Sequence, residues 1–553
     1  MSALGEVGMQ VIWNRLIAVV EEQAQTLIRA AFSTSVREAG DVSAGVFHCN
    51  GRMLAQAVTG TPGHVNAMAE AVGHFIREIG SENIFPGDVY LTNDPWKGTG
   101  HLHDITMVMP SFYKDRLVGF FAATAHVVDV GGRGFGPDAN EVYEEGLRIP
   151  IMKFVERGEL NRTLIEIVRS NVRMSDQVIG DMFSLAACNE TGHKRLIETL
   201  REFGVDDLGA IADFIFRVSR RVTLERIAAL PNGTYRNAMT VDGYDAPVEM
   251  CVALNVGADG IVADFAGSSG MSRFGVNVPM IYTRAYACYG LKCAVAPDVP
   301  NNAASLEPFK VTAPEGCILN ALHPAPVSSR HVIGHLVPDV VLGALHQCLP
   351  DRIPAEGAST LWNIHISARP VGGPMADKPA VEVLMFNSGG TGARPALDGL
   401  SATAFPSGVH SMSVEATEQV GPIVVWRKEL RAGSGGAGRQ RGGLGQVIEI
   451  APIDGYEFHF NAMFDRIANP ARGRDGGGAG GAGVVRLADG TPLRGKGRQF
   501  VHGDDRLVVE LPGGGGFGNP TERDPESVQR DVAAGYISVE EAASTYGFDP
   551  SNP

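Results

Sequence analysis

No two cysteines in this 553-residue chain stand at Cys-x-x-Cys spacing, and their total of seven is odd. Cys49, Cys188, Cys251, Cys288, Cys293, Cys317 and Cys348 are scattered, so reduced, buried thiols are expected rather than a disulfide framework. Long apolar runs are missing too. None reaches about 18 residues without Gly, Pro or charge, and residues 1–9 lack a basic region followed by an apolar core. Neither membrane spanning nor export is supported, and a cytoplasmic protein is expected. Positive charge is also in short supply: 47 Lys and Arg face 62 Asp and Glu, a net charge of −15. That balance opposes general affinity for phosphate backbones, so nucleic acid is not an expected partner. The chain has no Gly-x-x-x-x-Gly-Lys-Ser/Thr loop and no Gly-x-Gly-x-x-Gly set between a strand and a helix. It has no kinase-like site and no Gly-x-Ser-x-Gly elbow. If its chemistry needs ATP, another chain must bind it.

What is present is an ordinary soluble composition, 44% hydrophobic and 20% charged, with glycine in excess at 69 residues. The length predicts about three or four domains. Much of the glycine lies in the last third, which predicts tight turns and loop-rich β structure there. The expected fold class is α+β and multi-domain, with an N-terminal α/β metal-bearing part and a Gly-rich, β-dominated C-terminal part. The expected divisions are 1–230, 231–360, 361–520 and a helical segment 521–553.

Chemistry concentrates in two short stretches. Asn93-Asp94-Pro95-Trp96-Lys97-Gly98-Thr99-Gly100-His101-Leu102-His103-Asp104 is followed some twenty residues later by Ala125-His126-Val127-Val128-Asp129. Each adjoins an apolar run, 105–109 or 117–123, that reads as a buried strand. Imidazole nitrogen with carboxylate oxygen suits Zn, Mn or Fe(II), and two His with one carboxylate leave positions open for water or substrate. On an extended strand His101 and His103 would share one face and Asp104 the other; a turn would bring His101 and Asp104 together. Spacing alone leaves both open. A single such histidine would more often be a hydrogen-bonded residue at a strand mouth, and Asp94 and Asp104 could serve as turn residues. The doubled His-x-x-Asp spacing, His101 to Asp104 and His126 to Asp129, puts a metal first.

Residues 11–33 have helical apolar spacing, and 41–56 read as a hairpin about Asn50-Gly51. Helices are expected at 66–79, through most of 156–230 including 194–214, at 282–293, 337–349 and 527–546. Strands are expected at 89–91 and between 234 and 265. His331 and His335 read as core or helix-end residues. The stretches 387–395 and 435–445 invite a phosphate-loop reading but lack its spacing, so tight turns lining a site are expected; 476–483 reads as a mobile loop. Two further residues are candidates for catalysis. Asp41 stands between Gly40 and a strand, where a general base would face a pocket, although a turn-capping Asp looks the same. His64, beside Pro62-Gly63, is either catalytic or structural.

Taken in order, these motifs resemble the hydantoinase B/5-oxoprolinase family, the B-type subunit of N-methylhydantoinase. The resemblance includes 41–47 with Gly51-Arg52-Met53-Leu54-Ala55-Gln56, Asn93-Asp94-Pro95, 101–105, 126–132 and Asn171-Val172-Arg173. It continues through Asp264-Phe265, Asn277-Val278-Pro279, Ala313-Pro314-Glu315-Gly316, 389–395, 441–446 and 512–518. It implies an A-type partner that binds ATP and phosphorylates the amide oxygen of a small cyclic amide, in a hetero-oligomer with this chain as the subunit holding a divalent metal (Mn, Zn or Fe). It assigns His101, Asp104 and His126 as ligands and Asp129 as a ligand or a support to one. His103 stands where the family usually has Pro, as an added ligand or proton carrier, and Val127 where it usually has a second His. The expected reaction is ATP-dependent ring opening of a hydantoin, a lactam or 5-oxoproline. The metal would lower the pKa of water, with Asp41 as general base and His64 and His103 as further catalytic candidates. The alternatives are the α-type subunit of a related ketone carboxylase and a non-catalytic scaffold.

Overall fold

The computed structural model describes residues 5–372, 377–378 and 380–548. Helix α1 (Glu6–Ala30) buries one stripe that includes Ile12, Leu16, Val20, Ala24 and Leu27, the 3.6-residue spacing of an amphipathic helix. It stops before the expected residue 33 because Asp181 Oδ1 accepts the N–H groups of Phe32 and Ser33 at 2.8 and 3.1 Å. After α2 (Thr34–Arg37) come β1 (Val42–His48) and β2 (Met53–Gln56), the expected hairpin, turning through Gly51 at φ +83°. Helix α3 (Pro62–Ile79) starts four residues early because Pro62 suits a first helical turn.

Strands β3 (Val89–Thr92), β4 (Asp104–Tyr113), β5 (Arg116–His126), β6 (Met152–Glu156) and β7 (Glu159–Leu160) complete a seven-stranded sheet. Its order is β2-β1-β5-β4-β3-β6-β7, with every pairing antiparallel. Alternate residues enter different cores. Val46 and Phe121 pack with α1, whereas Phe47 and Phe120 pack with α3. Both faces are therefore covered, which is why β4 and β5 read as continuous apolar runs.

After α4 (Val142–Glu145) and α5 (Arg162–Asn171), α6 (Ser175–Phe203) packs against α1, and Gly204, at φ +62°, separates it from α7 (Gly209–Ala228). The expected helix 194–214 is thus two helices, broken where the left-handed backbone favours glycine. Strands β8 (Gly233–Val241), β9 (Val248–Gly257), β10 (Gly260–Asp264) and β11 (Phe309–Thr312) form a second sheet, with β10 and β11 parallel. Helix α8 (Met280–Val295) packs on α3 and on α11 (Val337–Leu345), which follows the short α9 (Ala303–Leu306) and α10 (His331–Gly334).

Two four-stranded sheets then share an apolar core containing Trp362, Ile448, Phe458 and Val509. One has β12 (Ile364–Pro370), β13 (Val381–Met385), β16 (Tyr456–Met463) and β18 (Lys496–Val501). The other has β14 (Ile423–Leu430), β15 (Gln446–Pro452), β17 (Val484–Leu487) and β19 (Leu507–Glu510), with α12 (Val414–Val420) between β13 and β14. Helices α13 (Pro525–Ala533) and α14 (Val539–Tyr546) close the described chain; the last residues of the expected segment 521–553 lie outside it. The α+β, multi-domain expectation holds.

Glycine has a specific use in this half. A Cβ on Gly390 would sit 1.9 Å from the Gly443 carbonyl oxygen, one on Gly514 1.9 Å from that of Thr391, and one on Gly477 2.2 Å from that of Gly516. Backbone lies directly on backbone. The stretch 476–483 is accordingly no mobile loop: Gly478, Gly480 and Gly481 donate to the carbonyls of Ala437, Ala471 and Ser434 at 2.7–2.9 Å. The cysteine expectation also needs correction. All seven are free, but Cys49 and Cys293 are exposed, while Cys188, Cys288 and Cys317 are buried.

Candidate metal centre

Three adjacent strand ends build the site. Asp104 opens β4 and His126 closes β5 as direct cross-strand neighbours, and Asp41 immediately precedes β1, whose Val42 pairs with Ala125. The His126 N–H donates to the Asp41 carbonyl at 3.1 Å, closing the row. His101 and His103 lie in the turns before β4, so of the two geometries open to the sequence the turn is found, and His101 Nε2 comes within 2.8 Å of Asp104 Oδ1. Gly100 permits that turn at φ +101°, where a Cβ would meet the Arg330 side chain at 2.7 Å.

His101, Asp104 and His126 are fully buried, and one donor atom from each lies within 4.8 Å of the others. Asp104 Oδ1 faces His101 Nε2 at 2.8 Å and His126 Nδ1 at 3.1 Å. Its Oδ2 receives Arg330 Nη2 at 2.6 Å, His64 Nε2 at 2.9 Å and the Thr99 hydroxyl. Burial opposes the charge on Asp104, yet His64 and Arg330 hold its carboxyl well below the usual range. His101 Nδ1 lies 2.9 Å from the Ser328 carbonyl, which fixes the proton on that nitrogen. Its Nε2 lone pair then points at a carboxylate lone pair, an arrangement that calls for a cation between them. Burial, reinforced by the Arg330 charge, pushes the His101 pKa down to about 3, so the ring is neutral and able to ligate at physiological pH. This N, N, O donor set fits a divalent transition metal.

The catalytic candidates surround the same group. His64, in the first turn of α3, lies between Asp104 and Asp41, with Nδ1 3.6 Å from Asp41 Oδ1. Burial works against its protonation, but the two carboxylates outweigh it and the pKa rises. The Thr61 hydroxyl at the start of α3 donates to Asp41 at 2.9 Å instead of capping the helix. Asp41 Oδ2 is 3.8 Å from His126 Nδ1. His103 stacks on His126 at 5.5 Å with 14° between the rings, and neither of its nitrogens has a hydrogen-bond partner. Burial and the neighbouring histidines hold it neutral. Val127, buried, donates its N–H to the His103 carbonyl at 2.8 Å and ties that turn to the end of β5.

Asp129 does not join the cluster. Its Oδ1 accepts from the Gly131 N–H and from Arg173 Nη1, each at 2.9 Å, and its Oδ2 accepts from the Arg173 N–H. The chain turns after β5, so the second His-x-x-Asp points its carboxylate at a loop and not at the imidazoles. The sequence reading also missed Arg330, Phe135 and Tyr282. Arg330 is 3% exposed, donates to the Thr99 carbonyl at 2.8 Å and lies 3.9 Å over the Tyr282 ring. Phe135 stands 4.7–5.7 Å from the rings of His101, His103 and His126. The one signal in the sequence was Arg330 preceding His331-Val332-Ile333-Gly334-His335. His331 contacts Asn363 at 3.4 Å and His335 contacts Tyr282 at 3.0 Å.

Glu145 supports the site from beneath. Its Oε1 accepts the N–H groups of Val327 and Ser328 at 2.6 and 2.8 Å, holding the carbonyl that orients His101. Burial pushes its carboxyl pKa up to about 8. A folded value above the unfolded one, near 4.5, means stability is lost as pH rises through that interval. Glu145→Gln removes this titration. The melting temperature of the native chain should therefore fall relative to that of E145Q between about pH 5 and 8, as differential scanning fluorimetry would record; parallel curves would show that Glu145 ionises as readily in the folded state as in the unfolded one.

Comparison with known proteins agrees over nearly the whole length. The hydantoinase B/oxoprolinase family pattern matches residues 5–520. A protein of Pseudomonas sp. (strain NS671) named as the B-type subunit of a D-/L-hydantoinase is 29% identical over 573 residues, covering 98% of this chain and 94% of its own. The crystal structure of ATP-dependent caprolactamase from Pseudomonas jessenii superposes with a TM-score of 0.90 at 24% identity, covering 100% of this chain and 98% of its own. A nucleotide-free structure of acetone carboxylase does so with a TM-score of 0.83 at 19% identity, over 98% and 79%. With one family pattern spanning the strands that carry Asp104 and His126 and the glycine-rich sheets alike, the chain belongs to the hydantoinase B/oxoprolinase family.

Proposed function

We propose that this chain is the metal-bearing B-type subunit of an ATP-dependent amidohydrolase, opening a cyclic amide whose oxygen an A-type partner has phosphorylated. The observation that carries the reading is the buried trio His101, Asp104 and His126, with the His101 Nε2 lone pair set 2.8 Å from a carboxylate oxygen. The hydantoinase and caprolactamase relatives, one of them named as a subunit, support the substrate class and the partner. These three residues would hold the metal, which supplies Lewis acidity and lowers the pKa of water. Asp41 takes the proton of the attacking water, and Thr61 fixes its orientation through the 2.9 Å hydrogen bond.

Chemistry dictates the next need. If the water adduct lost phosphate it would only regenerate the amide, so productive collapse breaks the C–N bond and the ring nitrogen must gain a proton. His64, whose pKa the two flanking carboxylates raise, is the proton source, and His103, with both nitrogens unpartnered, is a second candidate for that role. The resulting acyl phosphate takes a second water to give carboxylate and phosphate. Phe135 closes the imidazole cluster against bulk solvent.

The experiment is co-expression with an A-type ATP-binding partner and assay of hydantoin, 5-oxoproline and caprolactam, with acetone plus bicarbonate as a separate arm. ATP-dependent ring opening only when both subunits are present is the expected result. Ring opening by this chain alone without ATP, or turnover confined to the ketone arm, would overturn the reading.

A further inference from the structure

Most of what surrounds the metal trio is held in place by regular structure or by charge. Asp104 and His126 sit at strand ends, His64 lies in the first turn of α3, and Arg330 closes the carboxylate side through a buried ion pair. The imidazole rings are covered differently, by one apolar ring on a glycine loop. Phe135 is 1% exposed, with its centroid 5.7 Å from His101, 4.7 Å from His103, 5.0 Å from His126 and 5.6 Å from His331. Both nitrogens of His103 and Nε2 of His126 have no hydrogen-bond partner. A buried nitrogen set against hydrocarbon forgoes its hydrogen bond, so the seat that suits the phenyl ring is unfavourable for the imidazoles around it. The closed arrangement rests on opposing terms, and its opening costs less than burial of a phenyl ring alone would suggest.

The segment that carries this ring is firm at its ends and weakly tied between them. Arg133 donates its N–H to the Glu144 carbonyl at 3.1 Å and pairs with the Glu144 carboxylate, and the Pro137 carbonyl accepts the Gly275 N–H at 2.8 Å. Between these anchors the Gly134 N–H reaches the Gly131 carbonyl only at 3.3 Å, and the N–H groups of Phe135 and Gly136 have no partner among the described residues. One strong bond remains. Asn461, on β16 in the C-terminal half, donates from Nδ2 to the Phe135 carbonyl at 2.8 Å. Glycine stands on both sides of Phe135, and Gly134 is at φ +80°, a conformation that other residues resist. The missing side chain on Gly136 also lets the loop rest on the sheet, since a Cβ there would lie 2.7 Å from the Asn461 side chain. Two anchors, one latch and glycine on either side of the single large side chain make a short hinged segment.

We propose that residues 134–136 are a gate on the imidazole cluster, with Phe135 as its plug and Asn461 as its latch, and that the ring leaves its seat to admit an ion or a small ligand. The gate rests on this geometry alone; that the ligand admitted is the activated amide rests on the reading above. His103 reports the opening. It is fully buried and bare at both nitrogens, so diethyl pyrocarbonate, a small electrophile that acylates imidazole nitrogen, modifies it only when the plug is out. The purified full-length chain is treated at neutral pH and modification of His103 is followed by peptide mass spectrometry, with the exposed His502 as the internal rate standard. Native His103 should react slowly. Phe135→Ala, which removes the plug, and Asn461→Ala, which keeps the plug and removes the latch, should each raise its rate about tenfold or more relative to His502. Phe386→Ala controls for general loosening of the core. Phe386 is 2% exposed and stands 6.0 Å from His126, but it follows β13 and lies outside the loop, so this variant should stay within about twofold of the native rate. The proposal is overturned if Phe135→Ala leaves the His103 rate unchanged or if Phe386→Ala raises it as much as Phe135→Ala does. It is equally overturned if Asn461→Ala reacts at the native rate, for Phe135 would then be a fixed wall. Neither a partner subunit nor ATP enters the measurement, so its outcome is separable from failure of the amidohydrolase assay.

Discussion

A chain carrying His101→Ala and His126→Ala together is expected to lose its metal and with it partner-dependent turnover. Metal analysis of the purified native chain should give about one Mn, Zn or Fe per chain and the double variant essentially none. Where removing a supporting hydrogen bond typically lowers metal affinity about 10–100-fold, removing two of three direct donors exceeds that, and turnover should fall about a thousandfold or more. The remaining donor, Asp104, keeps Arg330 and His64 at 2.6 and 2.9 Å, so the double variant still has a neutralised carboxylate in its core and should remain soluble. Asp129→Asn is the informative control. Because Asp129 serves Arg173 and the Gly131 N–H, its loss should leave the metal content intact. Full metal retention in the double variant would place the ion elsewhere.

The second large effect is on stability. Arg330→Met should destabilise the chain by about 3–5 kcal/mol, the range for breaking a buried ion pair and leaving one charge behind. Both members are enclosed, at 3% and 0% side-chain exposure, and the guanidinium also donates to the Thr99 carbonyl and stacks on Tyr282. Arg330→Lys should recover little, since one ammonium cannot serve Asp104 and the Thr99 carbonyl from the same planar fork. Thermal melts of both variants beside the native chain decide it: a shift of under a degree for Arg330→Met would mean that Asp104 finds other compensation.

How much of this was legible beforehand follows from sequence distance. His101, Asp104 and His126 could be read because a single hairpin, β4 to β5, carries all three, and pairing of its ends needs no distant element. Asp41 and His64 were legible as polar residues at the mouths of elements, though nothing local revealed that His64 bridges Asp41 and Asp104. Arg330 was not legible. It reaches Asp104 across 226 positions, and a lone arginine before a histidine-containing helix carries no periodic signal. Asp129 repeats from His126 the spacing of Asp104 from His101, yet it lies outside the trio because the backbone beyond β5 turns its carboxylate toward Arg173. In the glycine-rich half the expectation of tight turns was correct, but the looseness inferred for 476–483 was not, because the absence of side chains there permits contact instead of motion.

That backbone-on-backbone contact limits how this half of the molecule can change over evolutionary time. Where a Gly390 Cβ would overlap the Gly443 carbonyl and a Gly514 Cβ that of Thr391, neither a larger residue nor a one-residue insertion can be absorbed locally. The interlocked segments act as a ratchet, since a change in one must wait for simultaneous changes in its neighbours. Sequence change is therefore confined to side chains projecting from the surrounding strands and loops, and the glycine layer persists as a fixed chassis beneath them.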